Sequence, residues 1–130
     1  MMIFGIGIDV VEVERVESSI AEFGERFVSR EFTEAERAYC ESQKRPAIHY
    51  AARFAAKEAV AKALGTGFRN RLNFKDIQVS NNKLGKPYYV ISSKLKNIIK
   101  KKRKIKNFNL FLSISDEKDY STAFTIIESI

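Results

Sequence analysis

Three residues of this 130-residue chain have types and spacings suited to chemistry on a phosphate: Asp9, Glu58 and Lys62. Phe54, Glu58 and Lys62 follow one another at intervals of four, so they share one face if this stretch is helical. A glutamate four residues ahead of a lysine is also the preferred surface ion pair, worth only about 0.3–0.5 kcal/mol. Two features point beyond that. The same face carries Ala51, Ala55 and Ala59, so Glu58 has apolar neighbours. Asp9 shares a strand face with Gly5 and Gly7, and glycines within a strand make sense where another element approaches closely. If the helix packs there, Asp9 and Glu58 converge. Two carboxylates with positions left open for water and phosphate oxygen suit Mg²⁺, and a lysine beside them would offset charge on a departing phosphate. Spacing alone leaves the convergence open, because the two acids lie far apart in the chain.

The elements that must position these residues are readable in outline. Residues 3–13 are expected to form a strand, with Phe4, Ile6, Ile8 and Val10 on one face and Gly5, Gly7 and Asp9 on the other. Residues 14–23 continue as a short helix through Val16, Ile20 and Phe23. Thr33 and Glu36 stand at the spacing of a capping box and open a helix to about Ser42. Residues 48–64 form the strongest helix, stopped by Gly65-Thr66-Gly67. Then follow strands at Asp76–Ser80 and Pro87–Ile91 around a turn at 81–86, a helix at 92–104, and strands at Phe108–Ser115 and Tyr120–Glu128. This order predicts an α+β fold, an antiparallel sheet packed against a long helix, in one domain spanning residues 1–130.

Composition narrows the classes. Hydrophobic residues make up 45%, which suits a packed core and excludes wholesale disorder. One Cys and one His exclude an intrachain disulfide and a four-ligand zinc site. No apolar run reaches membrane-spanning length, no signal peptide is evident, and a reducing cytoplasm is the expected compartment. The net charge of +7 is not spread evenly. Residues 94–106 hold seven Lys, one Arg and no acid, a local +8, so the rest of the chain totals −1. Residues 12–36 hold eight Glu against three Arg, a local −5. The basic run is either a solvated helix face or a contact for an acidic partner or a phosphate. It carries no interleaved aromatics, which argues against nucleic acid as its partner.

The run from Gly5-Ile6-Gly7-Ile8-Asp9 to Glu14-Arg15 resembles the first motif of the 4′-phosphopantetheinyl transferases of the holo-[acyl-carrier-protein] synthase type. The run from Arg53-Phe54-Ala55-Ala56-Lys57-Glu58 through Lys62 to Gly65-Thr66-Gly67 resembles the second. Phe32-Thr33-Glu34-Ala35-Glu36, Gly85-Lys86-Pro87-Tyr88 and Ser113-Ile114-Ser115 extend the likeness over almost the whole chain, in order.

The resemblance implies transfer of the phosphopantetheine arm of coenzyme A to a serine of apo acyl carrier protein in fatty acid biosynthesis, releasing adenosine 3′,5′-bisphosphate. It implies that Asp9 and Glu58 hold Mg²⁺, with Mn²⁺ as an alternative, and that Asp9, Glu58 and Lys62 form the catalytic set. The base would be Glu58 or a metal-bound water that it orients. Coenzyme A would be bound by Arg53, Phe54, Lys62, Gly65, Gly85, Lys86, Pro87 and Ser115. Arg53 could instead cap a local acid. The family implies a homotrimer with the coenzyme cleft between subunits, one giving the metal acids and its neighbour the Gly85-Lys86-Pro87 turn and the 113–117 segment. The acidic carrier would dock on Arg15, with Arg26, Arg30 and Arg45 as further candidates, each of which could equally be an exposed ion pair. Against the family's usual histidine after Ser-x-Ser, Asp116 stands here, with Lys86 or the 94–106 segment as possible compensation. His49 is expected to be a surface or partly buried residue. An inactive relative that binds coenzyme A or carrier without turnover is the remaining alternative.

Overall fold

The computed structural model describes residues 2–65 and 73–130. Strand β1 (Met2–Glu12) leads into α1 (Val13–Phe23), α2 (Glu25–Glu31), α3 (Glu34–Glu41) and the long α4 (Pro46–Leu64). After a 3-10 turn at Phe74–Asp76 come β2 (Ile77–Asn81), β3 (Pro87–Ile91), α5 (Ser93–Arg103), β4 (Phe108–Asp116) and β5 (Tyr120–Ser129). The strands make an antiparallel sheet in the order β1–β5–β4 and a separate hairpin, β2–β3. The α+β expectation holds, with α4 lying across the sheet.

The approach of α4 is set by the glycines of β1. A Cβ on Gly5 would land on the carbonyl of Ala63, and one on Gly7 on the carbonyl of Ala59. Alanines at 51, 55, 56, 59 and 63 keep the helix side of this contact equally thin, and all are buried. The opposite face of β1 is exposed: Ile6, Ile8 and Val10 are each more than half accessible. Phe4 departs from that face. The register with β5 shifts between Ile3 and Gly5, a bulge that re-aims the side chain, and Phe4 packs into the cluster around Leu64, Leu95, Ile99 and Ile127.

Several boundaries move for local reasons. Helix α4 starts at Pro46, because a proline in the first turn forfeits no helical hydrogen bond. It ends at Gly65 in the left-handed conformation (φ 78°); Thr66 and Gly67 lie outside the described residues. Thr33 and Glu36 form the expected capping box, with both reciprocal bonds present. Helix α2 was not anticipated, and it buries Phe27 and Val28. Phe23, expected on the apolar face of α1, is half exposed.

Candidate active site

Strand β1 and helix α4 bring the first three residues together. The Lys62 ammonium donates to Asp9 Oδ1 at 2.8 Å and to the Ile8 carbonyl at 3.1 Å. It bonds to Asp9, not to Glu58 as the surface-pair alternative would have it. Asp9 and Glu58 line one cavity of about 270 Å³, together with Phe54, Phe27, Arg15 and Ser19. Burial raises the pKa of Glu58, the nearby Asp9 carboxylate raises it further, and Lys62 partly offsets both. Two acids facing one cavity, one of them disfavoured as an anion, make a place where a cation would be welcome. No cluster of three or more acid, His or Cys ligands occurs among the described residues. The Asp9–Glu58 pair suits Mg²⁺, which is commonly held by one or two carboxylates and keeps its other positions for water and phosphate. Cys40 offers no competing nucleophile: burial pushes its thiol up to about 12.

A second cavity, about 150 Å³, is lined by Tyr39, His49, Arg53, Asn81, Gly85 and Asp116, among others. Arg53 caps no acid. Only 3% exposed, it donates from Nη2 to Asn81 Oδ1 at 2.7 Å and lies 4.1 Å over the Tyr39 ring. Its Nε is buried without a partner among the described residues. Asn81 in turn donates to the Gly85 carbonyl at 3.0 Å. Gly85 has φ 89°, so its turn needs glycine, and the space beside it is open. His49 is partly buried, as expected, yet it stands beside Asp116: burial lowers its pKa and the Asp116 charge opposes the shift. Lys86 and Pro87 line a third cavity with Phe111, Ser113 and Phe124. Ser115 is exposed on β4 opposite Thr122 and lines none of the three.

The arginines divide. Arg15 lines the Asp9–Glu58 cavity, and Arg26 is exposed without an ion pair among the described residues. Arg30 is engaged by Glu31 and Arg45 by Glu17, the local ion pairs weighed as their alternative.

What the sequence did not disclose is the role of Lys57. Its ammonium is fully buried and donates to Glu36 Oε1 at 2.6 Å, the Glu31 carbonyl at 2.8 Å and the Phe74 carbonyl at 2.9 Å. Glu36 also accepts from the backbone of Thr33 and Val79. Lys57 thus fastens α2, α3 and the 3-10 turn to the helix turn that carries Glu58, and Glu36 extends the tie to β2.

Residues 5–125 match the model of the 4′-phosphopantetheinyl transferase superfamily. The chain belongs to that superfamily. A holo-[acyl-carrier-protein] synthase of Pelagibacter ubique is 50% identical over 128 residues, covering 98% of both chains. Among solved structures, the holo-[acyl-carrier-protein] synthase of Neisseria meningitidis superposes with a TM-score of 0.86 at 37% identity, over 98% of this chain and 100% of that one. The Bacillus anthracis enzyme, crystallised in complex with CoA (3′,5′-ADP), superposes at 0.80 and 37% identity over the whole of both chains. Within the superfamily, the similarity is therefore to the holo-[acyl-carrier-protein] synthases.

Proposed function

We infer that this chain moves the 4′-phosphopantetheine arm of coenzyme A onto a serine of apo acyl carrier protein. The observation that carries this reading is the meeting of Asp9 and Glu58 at one cavity, with Lys62 bonded to Asp9, in a chain 50% identical to a holo-[acyl-carrier-protein] synthase over almost its full length. In the reaction the serine oxygen bonds to phosphorus, the pyrophosphate P–O bond breaks, and adenosine 3′,5′-bisphosphate leaves. Such a transfer is accelerated chiefly by positioning and by offsetting charge. Lys62, close enough to Asp9 to bond it, is placed to neutralise the departing phosphate. Glu58, or a metal-bound water that it orients, would take the serine proton. Asp9 and Glu58 would hold Mg²⁺, which when bound polarises the attacked phosphoryl group. Arg15, at the rim of the same cavity, is placed to meet carrier carboxylates.

The homotrimer belongs to this reading and is supported by the outer face of the sheet. Ile6, Ile8 and Val10 of β1, Phe111 of β4 and Phe124 of β5 are all exposed, a contiguous apolar surface suited to a partner subunit. In such an assembly the Gly85–Pro87 turn of one subunit would close the coenzyme cleft of the next. A cytoplasmic location is also part of the reading. No helix among the described residues is long and apolar enough to cross a membrane.

Intact-mass spectrometry of apo acyl carrier protein incubated with the chain, coenzyme A and Mg²⁺ tests the proposal. One added phosphopantetheine is expected, and Asp9→Ala and Glu58→Ala should each abolish it. No mass gain alongside an active control synthase would overturn the function and leave the binding-only relative in its place.

A further inference from the structure

We propose that the basic face of α5 captures coenzyme A as a polyanion and delivers it to the Lys62–Gly65 end of α4. This rests on the function inferred above.

The apolar side of α5 is already used. Leu95 and Ile99 are completely buried, in the cluster with Val60, Leu64 and Ile127. Nothing apolar is left on this helix for inserting into a lipid surface or docking a hydrophobic partner, so what remains is charge. Lys96, Lys101, Lys102 and Lys104 are exposed, and among the described residues none of them makes an ion pair. Lys94 is the lysine of this run with an acid partner, Asp76 at 3.6 Å.

The position of this charge matters as much as its sign. Arg103, in the last turn of α5, donates from Nη2 to the Leu64 carbonyl at 2.8 Å, sits 5.3 Å over the Phe4 ring and borders Gly65. It pins the cationic end of α5 to the C-terminus of α4, less than one turn beyond Lys62. Along α4 the order is therefore Phe54, Glu58, Lys62, Gly65 and then the lysines of α5. The opposite flank is acidic: Glu12, Glu14 and Glu17 line a surface hollow with Arg45. Charged side chains thus change sign between the two ends of α4, from the carboxylates beside Arg45 to the lysines beyond Gly65, the end at which the coenzyme phosphates would lie.

The carrier protein is also acidic, but its candidate contacts Arg15 and Arg26 are on α1 and α2. The coenzyme, with a pyrophosphate and a 3′-phosphate, is the partner that the α5 end of α4 fits. Fields of this kind raise association rates by about 10–1000-fold and weaken steeply with salt.

The test is a K96Q/K101Q/K102Q variant. Glutamine keeps helix propensity close to lysine's, and all three side chains are exposed, so folding is preserved. The association rate constant for coenzyme A is measured by stopped flow at about 50 mM and about 300 mM salt, with the KM for carrier protein in parallel. The native chain should lose rate steeply with salt. The variant should bind about threefold or more slowly at low salt, with a flatter salt dependence and an unchanged carrier KM. Dephospho-coenzyme A, lacking the 3′-phosphate, should show a smaller difference between native chain and variant. Equal coenzyme rates for the two proteins, or a loss falling on carrier KM alone, would overturn the proposal while leaving the transfer reaction intact. A native chain that binds no coenzyme A would overturn the functional reading as well.

Discussion

Lys57 and Lys62 leave the same helix little more than a turn apart and end in opposite circumstances. Lys57 is wholly buried and has three acceptors, one for each ammonium hydrogen, all supplied by the chain. Lys62 has a side chain 55% exposed and bonds a carboxylate at the edge of a cavity. The first pair is complete, so it can only hold elements together. The second is unfinished: Asp9 Oδ2 has no protein partner among the described residues. An ion pair of this second kind can be dismantled when a phosphate and a cation arrive, at little cost to the fold.

The sharpest way to break this comparison is to remove each lysine head. Lys57→Met strands the Glu36 carboxylate in the core and should cost about 3–5 kcal/mol in urea unfolding. Lys62→Met should cost less than about 1 kcal/mol while lowering the transfer rate by about 100-fold. Equal stability losses for the two would refute the distinction. Next in size is Gly7→Ala. The new methyl meets the Ala59 carbonyl, so β1 must lift from α4. We expect a loss of about 1–3 kcal/mol, together with loss of Mg²⁺ binding by titration calorimetry. The Lys57 network, which has no member on β1, should remain intact.

The smallest effect concerns Glu58. Its folded pKa lies above the ordinary value, so its ionised form destabilises the metal-free chain at neutral pH. The penalty is present in full above the folded pKa and disappears below the unfolded one. Because Glu58 is partly open to solvent, Glu58→Gln should stabilise by only about 0.5 kcal/mol at pH 7, with the gain vanishing near pH 4. Adding Mg²⁺ should raise the melting temperature of the native chain and not that of E58Q. The reverse pH trend would show that Glu58 is not strained as an anion.

Legibility followed locality. The Thr33–Glu36 capping box, the Gly65 stop and the 81–86 turn are governed by residues a few positions apart, and each formed. The packing of α4 on Gly5 and Gly7 was inferable because only a close neighbour explains glycines in a strand. Helix α2 escaped because seven residues show barely two turns of periodicity. Lys57 escaped for a different reason: its acceptors come from Glu31, Glu36 and Phe74, and nothing near it in sequence announces them. The meeting of His49, Arg53 and Asp116 was likewise hidden, since it joins the start of α4 to the end of β4. Phe4 was misassigned because a bulge reverses the alternation of a strand, and a bulge leaves little trace in composition.

Strand β1 carries two programmes on alternate residues. Gly5, Gly7 and Asp9 face the helix and the cavity, while Ile6, Ile8 and Val10 face outward. A substitution changes one programme at a time. A single-residue insertion or deletion between Gly5 and Asp9 would exchange the two sides, turning isoleucines into the helix and Asp9 away from it. A change of length along this segment should therefore be more damaging than a change of any one of its side chains.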